Sequence, residues 1–211
     1  MATSSIVAFW AVAVLLIAVP GADWAFIIST AVGGRSVPLA VGGLALGYTG
    51  MTVVVAAGAG AVMARSQPAL TALTIGGGLY LIWLGARTFT RPPAPSIPAP
   101  AEPGPASVPR ATLVRGIGVS GLNPKGLLLF LALLPQFTSP HGSWPVAAQL
   151  ALLGLVFTLS CVSFYLLLGS LAGRIMHARP GVARVITRAS GTAMVVIGTL
   201  LLIERLLSSR P

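Results

Sequence analysis

Acidic residues are almost missing from this chain of 211 residues: Asp23, Glu102 and Glu204 are the only three. Charged residues of both signs make up 8% of it, about a third of the usual globular share. A water-soluble domain needs several times more charge on its surface. Disorder is excluded as well, because disordered chains are polar and highly charged. Cysteine occurs once, at Cys161, which rules out an internal disulfide and a paired-cysteine redox site. His141 and His177 are the only imidazoles, and with Cys161 they give no metal site of familiar spacing. No cofactor is implied. Lysine also occurs once, at Lys125, against 12 arginines.

What is present is apolar. Hydrophobic residues make up 55% of the chain, glycine adds 25 positions, and the mean hydropathy is +0.93. This is the composition of an integral membrane protein, with apolar residues enough for about six helices of roughly 20 residues. The net charge of +10 does not indicate nucleic acid. The arginines are scattered between apolar runs, as membrane proteins distribute cytoplasmic charge, rather than gathered into a basic domain.

Six apolar runs follow one another. The first covers residues 5–33 and is broken near its middle by Pro20-Gly21-Ala22-Asp23. It lacks the basic start of a signal peptide, since no Lys or Arg precedes Ala22. The others are 39–64, 70–88, 113–137, 146–172 and 185–207, and the fourth is interrupted at Asn123-Pro124-Lys125. All are expected to be helical, because lipid does not tolerate unpaired backbone. Between the third and fourth runs, residues 91–110 include eight prolines in 20 positions. That stretch is expected to be an extended, semi-rigid spacer. A ligand for a proline-reading domain is the alternative.

The expected fold is therefore an all-α membrane protein. A first three-helix unit spans 1–90, a Pro-rich linker 91–112 and a second three-helix unit 113–211. An odd number of crossings per unit runs the two in opposite directions, the arithmetic of an inverted repeat. Pro20 and Pro124 each interrupt the first helix of a unit. Gly78 and Gly85 are seven apart in the third helix, as Gly191 and Gly198 are in the sixth. Nine arginines fall on the side of the linker and three on the other. Positive charge marks the cytoplasm, so both termini are expected outside and the linker inside.

Paired interruptions at matching places point to a midplane binding site. Simple kinks are the plainer alternative. Charge favours the site: Asp23 and Lys125 are the only acid and the only ammonium in the interior of an apolar run, since Glu204 sits beside Arg205 at the outer end of the sixth. Each costs about 2.5 to 3.5 kcal/mol on insertion scales unless paired or hydrated. Counted from the cytoplasmic edge, each lies about 15 Å deep at 1.5 Å per residue. Both are expected to face one aqueous cavity, with a purely structural Asp–Lys pair as the alternative. Asn123 beside Pro124 could coordinate substrate through its amide. Tyr48, Gln136 and Thr138 are further polar groups near the breaks, and Trp24 adjoins Asp23. Gly43 and Gly47, four apart, allow close helix packing, either within the chain or in a homodimer.

Enzyme readings fail by inventory. An intramembrane aspartyl protease needs two acids in its spans, and an intramembrane serine site needs a histidine to activate it. There is no His-Glu-x-x-His motif. The stretch 118–126 has no Ser or Thr after Lys125 and so is not a phosphate loop.

Several motifs, in this order, resemble the LysE/RhtB family of amino-acid exporters. They are Pro20-Gly21-Ala22-Asp23, Gly33-Gly34-Arg35, Gly43-x-x-x-Gly47, Gly77-x-x-Tyr80-Leu81-x-x-Leu84-Gly85, Asn123-Pro124-Lys125 and Leu134-Pro135-Gln136-Phe137. The resemblance covers residues 5 to about 207. It implies a six-helix inner-membrane exporter of amino acids or close derivatives, driven by the proton gradient. Ala22 stands where the family usually has a second proline, which should leave the first helix less sharply broken. Thiol–disulfide carriers of the wider superfamily need paired cysteines, and its nickel and cobalt exporters carry His-rich stretches; this chain has neither.

The expected mechanism is alternating access around a zwitterion held at the breaks. Pro20, Gly21, Asp23 and the carbonyls near Ala18 and Val19 would meet its ammonium. Asn123, Pro124, Lys125 and local backbone amides would meet its carboxylate. Asp23 is the candidate proton carrier. The partners are thus an amino acid, protons and the lipid bilayer. A passive channel and a non-transporting membrane subunit are the other readings.

Overall fold

A computed structural model describes residues 1–63, 67–90, 109–139 and 142–176, together with 188, 192, 195–196, 198–200 and 202–203 near the C-terminus. Glu102, Glu204, His141 and His177 lie outside the described residues, as does the linker from 91 to 108. The described chain is helical throughout, without strands.

The first apolar run forms two helices, α1 (Thr3–Ala18) and α2 (Ala22–Val32), bent by 57°. Proline disfavours helical torsions in the residue before it, and Val19 is extended, with φ −69° and ψ 121°. One proline thus suffices for a bend of 57°. Gly21 caps α2, and Asp23 sits in its first turn, where the helix dipole favours an anion. α2 ends in a Schellman closure. Gly34 takes φ +66°, its N–H reaches Ala31 and the Arg35 N–H reaches Thr30.

α3 (Val37–Met63) and α4 (Gln67–Thr90) carry the second and third runs. The fourth run is more broken than its sequence suggests. α5 (Pro109–Gly121) stops two residues before Pro124. The short α6 (Pro124–Leu128) passes into a π-helical turn at Leu129–Leu133 and a 3₁₀ turn at Leu134–Phe137. The axis bends by 55° at this break. α5 also begins inside the expected linker. Pro109 opens a helix because the first helical position needs no bonded N–H. α7 (Val146–Met176) carries the fifth run, and the described residues from 188 to 203 are helical too. Among the described residues two helices, 37–58 and 146–172, are long and apolar enough to cross a membrane. The count is four if each bent pair is one span.

Without water there is little hydrophobic drive between helices in lipid, so close backbone approach and packing must hold them. α3 packs on α5 through glycines. A Cβ on Gly43 would overlap the Leu113 carbonyl and come within 2.9 Å of the Gly116 Cα. One on Gly116 would come within 2.8 Å of the Ala40 carbonyl. Gly47 is filled in the same way by Ser120 and Ile117. The Gly43-x-x-x-Gly47 face is therefore spent within the chain, not on a second copy. α7 crosses α3 where Gly154 meets Thr52, and Gly169 meets Val37 and Ile27. In α4, Gly78 faces Gly198 of the last helical stretch; a Cβ on Gly198 would lie 2.7 Å from the Gly78 carbonyl. Gly142 to Trp144 lead into α7 over a loop pinned by Gln149. Its amide is fully buried, accepts from the Ser139 N–H and donates to the Ser139 and Trp144 carbonyls.

A paired substitution tests this packing. Gly43→Ala should destabilise the protein by about 1 to 3 kcal/mol through overpacking. Gly42→Ala, where a Cβ meets nothing within 4 Å, should be neutral or stabilising. Thermal melts in detergent would compare the two, and equal melting points would contradict the glycine contact.

Candidate functional site

At the first break the backbone loses helical partners, and each loss can be traced. Pro20 has no N–H to give the Leu16 carbonyl. Gly21 is extended and gives none to Ile17. The Trp24 indole instead donates to the Ile17 carbonyl at 2.9 Å. The Lys125 ammonium donates to the Leu16 and Val19 carbonyls, both at 3.1 Å. The sequence reading left carbonyls near Val19 open for a substrate ammonium; here Lys125 occupies them.

At the second break Asn123 caps α6. Its Oδ1 accepts from the Lys125 backbone N–H at 3.0 Å, while Pro124 takes the first helical position. The other end of the same side chain crosses to the first break. Asn123 Nδ2 donates to Asp23 Oδ1 at 3.1 Å. A single amide thus ties the two interruptions together over 100 residues of sequence.

Asp23 is 1% exposed. Its second oxygen accepts from the Tyr48 hydroxyl at 2.5 Å and the Tyr165 hydroxyl at 3.1 Å. The carboxylate is therefore surrounded by donors from α3, α7 and the second break. It is satisfied by neutral dipoles, and Lys125 by neutral carbonyls, so each charge has its own shell. Tyr48 is fixed by rings: Phe130 stacks on it at 6.1 Å and Phe157 meets it edge-on at 5.0 Å. Gly126 admits the Tyr48 ring, since a Cβ there would stand 3.0 Å from it.

Asp23, Lys125, Tyr48 and Tyr165 line one cavity together with Leu16, Phe157 and neighbouring apolar side chains. Its free space is about 10 Å³, room for no more than one water molecule. Gly21 lies beneath the Lys125 ammonium, where a Cβ would stand 3.7 Å from Nζ. The structure thus brings Asp23, Asn123, Lys125 and Gly21 together, with Pro20 and Pro124 as the breaks that position them. Trp24 closes the backbone rather than walling the cavity. Gln136 is outside the lining, and Thr138 caps the 3₁₀ turn by donating to the Pro135 carbonyl at 2.6 Å.

Tyr165 was not singled out by the sequence reading. One signal was available: the chain has three tyrosines, and Tyr165 lies well inside an apolar run. A hydroxyl placed there needs a buried partner. The partner could not be read, because it comes from a residue 142 positions away.

No solved structure matches the chain. It is similar to the uncharacterized membrane protein YrhP of Bacillus subtilis (strain 168). The two are 28% identical over 172 residues, which is 78% of this chain and 81% of the relative. The model of the LysE type translocator family matches residues 14–205. With that match across nearly the whole sequence, the chain belongs to the LysE type translocator family of membrane proteins.

Proposed function

We propose that this protein is a secondary transporter that exports amino acids or close derivatives across the inner membrane by proton antiport. One observation carries the reading. A carboxyl group and an ammonium, each from a helix break, line one buried cavity of an apolar helical protein, and the Asn123 amide of the second break bonds the carboxyl group. A zwitterion needs that set of complementary groups, and it is costly to maintain in lipid for any lesser purpose.

Six crossings arranged as two inverted units agree with the contacts. The units are 1–90 and 113–211, joined by a cytoplasmic linker. The bent first helices match in angle, 57° against 55°. α3 packs on α5, and α7 packs in turn on α1 and α2, so each unit's second helix meets the other unit's first. The second helices cross each other at Gly154, and the third helices meet at Gly78 and Gly198. A two-fold axis in the membrane plane would produce this set.

In this reading Asp23 carries the proton. As a carboxylate it accepts three hydrogen bonds. Protonated, it presents an O–H to shells built of donors, and the network must rearrange. On this reading the closed arrangement suits the carboxylate, and protonation from outside would favour opening there. Lys125 and Asn123 would take the substrate carboxylate once the cavity opens.

Vesicles loaded with a panel of amino acids and given a proton gradient would test this. Wild-type protein should export at least one of them against its own gradient. Downhill leakage alone would indicate a passive channel, and no flux would indicate a non-transporting subunit. Asp23→Asn should abolish the response to the proton gradient while leaving exchange of substrate for substrate measurable. A wild-type rate with unchanged pH dependence would remove Asp23 from the coupling. Lys125→Gln should weaken substrate binding about tenfold or more, as expected for loss of a charge-assisted bond. Labelling of a cysteine at residue 3 from the outside, in a Cys161-free background, would check the orientation.

A further inference from the structure

The Lys125 ammonium is held in an unusual way. It lies at a cavity shared with a carboxylate, yet its partners are the Leu16 and Val19 carbonyls. The Val19 oxygen is free for Lys125 because Pro20 and the extended Gly21 stop α1, and the Leu16 oxygen takes Lys125 alongside the Val19 N–H at 3.2 Å. They form a small ammonium site made of backbone, and Gly21 leaves its floor open. The Asp23 shell is complete without Lys125: two hydroxyls on one oxygen, one amide on the other. With about 10 Å³ left, no amino acid fits beside this arrangement.

Resting on the transporter reading, we infer that Lys125 is a tethered stand-in for the substrate's ammonium. Its Nζ occupies the Leu16 and Val19 carbonyls, so the Val19 oxygen, which has no helical partner, is not left bare, while the Leu16 oxygen also keeps the Val19 N–H. The substrate's primary ammonium takes over those two carbonyls. Lys125, released, turns to the substrate carboxylate that arrives with it. One ammonium replaces another at the carbonyls, and one anion meets the cation set free, so the exchange leaves no charge unpaired. It also sets specificity. A molecule with an ammonium but no carboxylate strands Lys125. A molecule with a carboxylate but no ammonium strands the Val19 carbonyl. Only a compound carrying both, close together, completes the exchange.

The test uses purified protein in lipid nanodiscs, with n-butylammonium, butyrate and norvaline as probes. Lys125→Ala empties the carbonyl site, and butylammonium should then bind at least tenfold more tightly than to wild type, read by thermal stabilisation. Butyrate should gain nothing. Equal butylammonium binding to variant and wild type, or binding to neither, overturns the proposal. So does stabilisation of Lys125→Ala by Na⁺ or K⁺ in place of the amine. Lys125→Met, which keeps the apolar stem, serves if the alanine variant does not fold. A measurement on wild type stands beside these. Lys125 is the sole lysine, so ¹³C-lysine labelling gives one residue's signal. A zwitterion that the vesicles export should shift it, while butylammonium and butyrate alone leave it in place. A shift with butyrate alone equal to that with the zwitterion would mean a simple carboxylate clamp. Export of amino acids with an unmoved lysine signal sinks the exchange and spares the transporter. Gain of amine binding by Lys125→Ala without any export sinks the transporter and spares the stand-in site.

Discussion

A carboxyl group buried inside an apolar helical protein is the constraint to which the surrounding structure answers. Asp23 can be kept there only if dipoles replace its water, and three do: two tyrosine hydroxyls and one amide. Those donors come from α3, from α7 and from the residue that caps α6. Three separate parts of the chain are thus bound to one side chain of a fourth, α2. The break after Ala18 makes this geometry available, because it puts Asp23 in the first turn of α2, where the dipole also favours its charge. The same break frees carbonyls that hold Lys125. The two charges of the cavity are therefore both consequences of Pro20, one through the helix it starts and one through the helix it stops.

The glycines serve this centre at a distance. α3 delivers Tyr48, and α3 is set against α5 by backbone contact at Gly43, Gly47 and Gly116. Ser120 fills the Gly47 notch and lies just before Asn123, so the amide that reaches Asp23 is held in register with the hydroxyl that reaches it from α3. Gly154 performs the same service for α7, which delivers Tyr165. Side chains at these crossings would move the donors by more than a hydrogen bond tolerates.

Much of this was legible in the sequence. Both breaks, their prolines, Asp23, Asn123 and Lys125 stand out as polar or helix-breaking residues in apolar runs. α1, α2, α3 and α7 follow the apolar runs closely. Other features were not legible. The π and 3₁₀ turns after α6 come from how Leu129 to Phe137 settle against neighbouring helices, which no local pattern encodes. The start of α5 at Pro109 was obscured by the prolines before it. Tyr165 was missed because an apolar run shows that a hydroxyll needs a partner without showing which one. Freed carbonyls near Ala18 and Val19 could be foreseen, but the use of Leu16 and the occupant could not, since Lys125 reaches Leu16 from 109 residues away and Val19 from 106.

Movement in such a protein has few places to occur. The crossings of α3 with α5 and with α7 are backbone-close and resist sliding, because interdigitated packing is bistable rather than elastic. The breaks at 19–21 and 121–123 are different. Each is held by side chains, Trp24 and Lys125 at the first and Asn123 at the second, and side-chain bonds can exchange partners without unpicking a helix. Anything that changes the hydrogen-bonding character of Asp23, or supplies a second ammonium to the Lys125 site, acts on both breaks at once. On the proposed transporter reading, a pair of hinges joined by one amide would open together, the coupling that alternating access between two inverted halves requires.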